Sequence, residues 1–76
     1  GDETVFYLYN PFHEVVLAQT LRNLARSLRE FPRQIWVIYN TPVHHDTILQ
    51  SGYFGRHERL EIGGTEFRIY SDFQGA

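Results

Sequence analysis

Two kinds of apolar run alternate along the chain. Thr4 to Tyr9 (TVFYLY) is β-branched and aromatic throughout, and both alternate sets, Val5-Tyr7-Tyr9 and Phe6-Leu8, are largely apolar. A strand without polar alternation expects cover on both faces, as in a parallel sheet. Gln34 to Tyr39 (QIWVIY) reads the same way. Between them, Glu14 to Phe31 carries Leu17, Leu21, Leu24, Leu28 and Phe31 at spacings of four and three, a single apolar helical stripe. Glu14 near the first turn and Arg26 and Arg29 near the end suit the helix dipole, and Pro32 stops the helix. Strand, helix and strand within about 35 residues make a βαβ unit, whose crossover is expected to be right-handed.

A short echo supports this unit. Tyr9-Asn10-Pro11 closes the first strand, and Tyr39-Asn40-Thr41-Pro42 closes the second thirty residues later. Two successive βα turns of one parallel sheet would put Asn10 and Asn40 at the same carboxyl edge, where open parallel sheets bind ligands. His45 to Gln50 reads as a short helix capped by Asp46 or a neighbour and closed by Gly52. His57 to Ile62 and Thr65 to Tyr70 flank Gly63-Gly64, a hairpin with a type I′ turn. That register sets Ile62 opposite Thr65 and Leu60 opposite Phe67, an apolar face expected to be buried. Its other face opposes Glu61 to Glu66 and Arg59 to Arg68, like against like, with the diagonals Glu61–Arg68 and Arg59–Glu66 opposite in sign.

These elements define an α/β chain of order β-α-β-α-β-β, with a parallel pair and a C-terminal antiparallel hairpin. A long helix on one face and a short helix on the other would leave the second face thinly covered. The expectation is therefore a partial three-layer sheet, roofed by a missing N-terminal half or by a second copy of the chain.

Composition narrows the function. The chain has 76 residues, 42% hydrophobic and 16% aromatic, too apolar for a disordered tail. Cys is absent, which excludes disulfides and thiolate zinc sites. A formal charge of -2 gives no electrostatic case for a nucleic-acid or membrane-surface partner. No apolar run is long enough for a membrane helix and no signal peptide is visible, so a cytoplasmic location is expected. Gly1 in place of Met suggests a processed or excised chain.

Tyr9-Asn10-Pro11-Phe12 and the order of elements resemble the carboxyl-terminal half of class I S-adenosylmethionine-dependent methyltransferases. In that family a Rossmann-like sheet ends in strand, helix, strand, helix and a hairpin whose last strand inserts antiparallel. Amino-methylating members carry Asn or Asp, two Pro and an aromatic at this turn; here there is one Pro. The resemblance covers nearly the whole chain and treats residues 1–76 as the C-terminal part of a larger domain. It implies S-adenosylmethionine as cofactor, methyl transfer by in-line displacement to an unidentified acceptor, and Asn10, Pro11 and Phe12 as the catalytic edge. The family's glycine-rich turn and ribose-binding acid have no counterpart here, so the isolated chain is expected to be catalytically silent.

The turn also has a case of its own. A residue before Pro is held extended, which aims Asn10 from the strand end, and Phe12 offers a flat wall to a ring or a sulfonium. The plain alternative is a strand break that helps to start the helix. His13, Asn40 and Thr41 are candidate substrate-binding residues on the same edge, again with an ordinary turn as the alternative. His44 and His45, being adjacent, diverge on either a helix or a strand, and His-x-x-x-His is absent, so no metal site is expected. Arg22, Arg26 and Arg29 read as a solvated helix face. The rival to a transferase is a non-catalytic interaction module that self-associates through its exposed sheet.

Overall fold

A computed structural model describes residues 3–9 and 13–74. It contains β1 (Glu3–Tyr9), α1 (Glu14–Glu30), β2 (Gln34–Asn40), α2 (His45–Ser51), β3 (Phe54–Ile62) and β4 (Thr65–Phe73). The order is the one the pattern predicts. The strands form a mixed, open four-stranded sheet in the order β1-β2-β4-β3. β1 and β2 are parallel, and β4 lies antiparallel between β2 and β3. The last strand is thus central and β3 forms an edge.

The parallel register runs from Glu3 opposite Gln34 to Tyr9 opposite Asn40. The tyrosines of the sequence echo are therefore out of phase by one residue. Tyr39 stands beside Leu8 and is fully buried, while Tyr9 stands beside Asn40 and is 61% exposed. A shift of one residue moves a side chain to the opposite face of a sheet.

One face of the sheet carries the core. Leu8, Ile35, Val37, Tyr39 and Tyr70 pack against Leu17, Leu21, Leu24 and Leu28 of α1 and Ile48 of α2 in one buried cluster. Ile35, Val37 and Tyr39 alternate along β2, so they point the same way, and both helices lie on that face. The expected three-layer arrangement is thereby corrected to two layers. The short helix joins the long one, because a single core can enclose Leu21 and Ile48 together. Among the described residues nothing covers the other face, which shows Val5, Tyr7 and Tyr9 on β1 and Leu60 and Ile62 on β3 as exposed apolar side chains.

Local chemistry sets the element ends. α1 stops as Phe31 turns out of helical geometry (φ −133°, ψ 81°), its N–H still donating to the Ser27 carbonyl at 2.8 Å. Phe31 belongs to the predicted stripe but is 69% exposed, since the helix has ended before its side chain can reach the sheet. Arg33 holds this corner, donating to Phe31 O, Ser27 Oγ and Thr4 Oγ1 at 2.8, 3.2 and 3.1 Å. The α2 cap also departs from expectation. Its N-cap is His44, without a side-chain cap bond, and Asp46 lies inside the first turn. Gly52 closes the helix in the left-handed conformation, as expected.

The hairpin adopts the predicted register, from Ile62–Thr65 to His57–Tyr70, and Gly63 and Gly64 have φ of 58° and 81°, as a type I′ turn demands. Contrary to expectation, its apolar face is not the inner one. Glu61, Glu66, Arg59 and Arg68 share the face of Tyr70, the helix side, where Arg68 and Glu66 come near enough to His45 of α2 for their charges to act on it, and Leu60 and Ile62 lie on the bare side. The Arg59–Glu66 diagonal forms at 3.5 Å, but the closer pairs run along each strand, Arg59–Glu61 and Arg68–Glu66, both at 3.0 Å. Such exposed or half-buried surface pairs stabilise by roughly 0–1 kcal/mol each; the register is set by the turn and by Tyr70.

Candidate functional site

The sequence pattern places the candidate site at the carboxyl edge of the parallel pair. Asn10, Pro11 and Phe12 lie outside the described residues. His13 is the N-cap of α1, extended (φ −69°, ψ 151°), with its carbonyl accepting from Leu17 N–H at 2.9 Å and its side chain exposed. It is a helix start facing solvent. Asn40 ends β2 and Thr41 follows it directly, so these two do sit at the edge.

Register places Asn40 between two aromatic residues. Tyr9 is its partner on β1 and Phe67 its partner on β4, with Leu60 beyond Phe67 on β3. Residues opposed across a sheet share a face, so this row lies on the bare side. The Asn40 amide oxygen accepts from Thr41 Oγ1 at 3.0 Å. Thr41 has φ +53°, a left-handed conformation that costs a β-branched residue roughly 1–2 kcal/mol. Its N–H donates to Glu66 O at 2.9 Å and its carbonyl accepts from Val43 N–H at 2.8 Å. Thr41, Pro42 and Val43 also face Gly64, Thr65 and Glu66 across an open groove.

A second polar cluster lies on the helix side, under the start of α2. His45 Nδ1 and the Tyr70 hydroxyl are hydrogen bonded at 2.5 Å. The His57 ring lies 5.3 Å from that of His45, and the backbone N–H of His44 donates to the Tyr39 hydroxyl at 3.3 Å. Burial above all pushes the Tyr70 hydroxyl well above the usual phenol range, so it stays protonated. Burial, then the charges of Arg68 and His57, hold His45 below its ordinary value against the pull of Asp46 and Glu66. A neutral imidazole carries one N–H and one bare nitrogen, so Nδ1 and the protonated Tyr70 hydroxyl share a single hydrogen bond whose direction follows the ring tautomer.

Sequence reading missed both arrangements. The Tyr9–Asn40–Phe67 row joins three elements, and Phe67 gave no signal beyond its place in the hairpin. His45 and Tyr70 are 25 residues apart; only the insertion of β4 beside β2 brings them together. Among the described residues, no three of His, Cys, Asp and Glu form a group that could hold a metal ion, and no helix is long and apolar enough to cross a membrane.

The His45 environment gives a pH dependence with a definite sign. Because the folded value is below the unfolded one, near 6.5, the unfolded chain takes up the proton first. The contribution of neutral His45 is complete above that value and is lost as pH falls through it toward the lower folded value. Urea unfolding at several pH values, with His45→Gln as reference, is expected to show wild type losing stability relative to the variant between pH 7 and 5. A constant difference across that range would contradict the assignment.

Fold and edge together define a two-layer α/β unit with one apolar sheet face uncovered and an aromatic-flanked amide at its carboxyl edge. Comparison with protein-family models, with curated proteins and with solved structures finds no match for the chain.

Proposed function

We propose that the chain is the carboxyl-terminal half of a Rossmann-like, S-adenosylmethionine-dependent methyltransferase domain, and that it contributes the acceptor side of the site. The observation that carries this reading is the position of β4. The last strand runs antiparallel between β2 and β3, which leaves β3 parallel to β1 and β2 at the edge. This is the ending implied by the resemblance that the order of elements and the sequence Tyr9-Asn10-Pro11-Phe12 carry. The uncovered face supports it further, since a preceding half of such a sheet would bring its own layer to Val5, Tyr7 and Tyr9.

The described residues do not themselves fit the adenosyl group. Gly63 and Gly64 occupy a hairpin turn, and no glycine-rich turn follows β1 or β2 among them. This half would bind and orient the acceptor at Asn40 and Thr41 and exclude water from it, the positioning work on which in-line transfer depends.

In this reading the 76-residue chain alone neither binds S-adenosylmethionine in calorimetry nor transfers methyl groups. The protein encoded together with the sequence upstream binds it, and that sequence contains a strand followed by Gly-x-Gly-x-Gly and an acid ending the next strand. An encoded protein without such a segment, or one that does not bind the cofactor, would overturn the assignment. The bare face favours one other reading, an interaction module that pairs with a second copy. Sedimentation of the chain at several concentrations separates them: a stable dimer supports self-association.

A further inference from the structure

We infer that the end of β2 binds a planar ring bearing a hydrogen-bond acceptor, with Asn40 as its reader and Thr41 as the residue that positions Asn40. Only the identification of that ring as the methyl acceptor rests on the reading above; the site itself rests on the geometry of the edge.

Three observations carry it. First, adjacent strands lie about 4.8 Å apart, so Tyr9 and Phe67 stand roughly 10 Å from each other with Asn40 between them. That gap, on the uncovered side, admits one flat ring resting on the amide with an aromatic wall at either side. Second, the Asn40 amide is half used. Its oxygen is taken by the Thr41 hydroxyl, and its nitrogen has no partner among the described residues. What remains is a pair of N–H donors, which match a carbonyl oxygen or a ring nitrogen and not a second donor. Third, Thr41 is the wrong residue for a simple turn. At φ +53° a Gly or Asn would serve without strain, and neither would place a hydroxyl beside the Asn40 oxygen. Strain that the surrounding bonds to Glu66 and Val43 hold in place is the mark of a positioned group.

The test uses benzamide, a ring with a carbonyl acceptor, and aniline, a similar ring whose substituent is a donor. Each is titrated into the 15N-labelled chain while the Asn40 side-chain resonances are followed. Benzamide is expected to shift those resonances and to bind at least ten-fold more tightly than aniline. Asn40→Asp, which replaces the free donors by an acceptor oxygen, is expected to lose at least ten-fold in benzamide affinity, and Asn40→Ala to behave similarly. Thr41→Gly is expected to melt no lower than wild type yet to bind benzamide several-fold more weakly, a loss that turn strain alone would not produce. Equal binding of the two rings, unchanged affinity in Asn40→Asp and Asn40→Ala, or full affinity in Thr41→Gly would overturn the inference. Cofactor binding by the whole encoded protein is read separately. If it binds S-adenosylmethionine and Asn40 is indifferent to acceptors, the inference fails and the methyltransferase reading stands; if benzamide binds and the cofactor does not, the reverse holds.

Discussion

Leu17→Ala is expected to lower the stability of the chain by about 2–5 kcal/mol, the range for emptying a fully enclosed leucine site. Leu17 is completely buried where α1 meets the sheet, and Leu21, Leu28, Ile35 and Val37 belong to the same cluster. Truncation forfeits the transfer of three carbons from water and leaves a void that a rigid sheet cannot fill. A chain of this length is stable by roughly 4–11 kcal/mol, so the substitution removes a large share. Tyr7→Thr is the matched control. Tyr7 lies on the same sheet but on the bare side, 65% exposed, and its replacement is expected to cost less than about 1 kcal/mol. Urea titrations followed by circular dichroism compare the two. Equal losses would mean that the bare face is covered in solution, by another copy or another segment.

The second large effect is at Tyr70. It is fully buried on the central strand β4, with the rings of His45, Phe54 and His57 about it at centroid distances of 5.6, 5.9 and 6.3 Å. Tyr70→Ala removes a whole aromatic ring from the core, a change of about 3–5 kcal/mol. Tyr70→Phe keeps the ring and deletes only the hydroxyl that is hydrogen bonded to His45, which costs about 1–3 kcal/mol. The two together apportion the site between packing and hydrogen bonding. If Phe proves as damaging as Ala, the polar link to α2, not the packing, holds β4 in the sheet.

Both effects bear on how far the amino-acid pattern can be read. The β-branched and aromatic runs marked β1 and β2, the leucine stripe marked α1, and Gly63-Gly64 marked the turn with its register, all within a residue or a few of the observed bounds. These are local matters, decided by propensity, by side-chain periodicity and by the positive φ that a tight hairpin requires. The errors share a different origin. Phe31 continues the stripe by spacing, yet its turn of helix is not made. Tyr9 and Tyr39 match as letters, yet the parallel register offsets them by one residue and sends them to opposite faces. Leu60 and Ile62 look like an inner face because they are apolar, yet the helices stand on the other side.

The sequence by itself determined the identity, order and approximate length of the elements, the hairpin pairing, and the placing of Asn40 and Thr41 at a strand end. Tertiary structure alone decided that both helices share one face, and that Tyr9, Asn40 and Phe67 form one row while His45 meets Tyr70. The reason is physical. Local structure follows from interactions within a few residues, which the order of side chains already contains. Which face is buried, and which distant strands become neighbours, follows from enclosing the most apolar surface in a single core, and that is a property of the assembled chain.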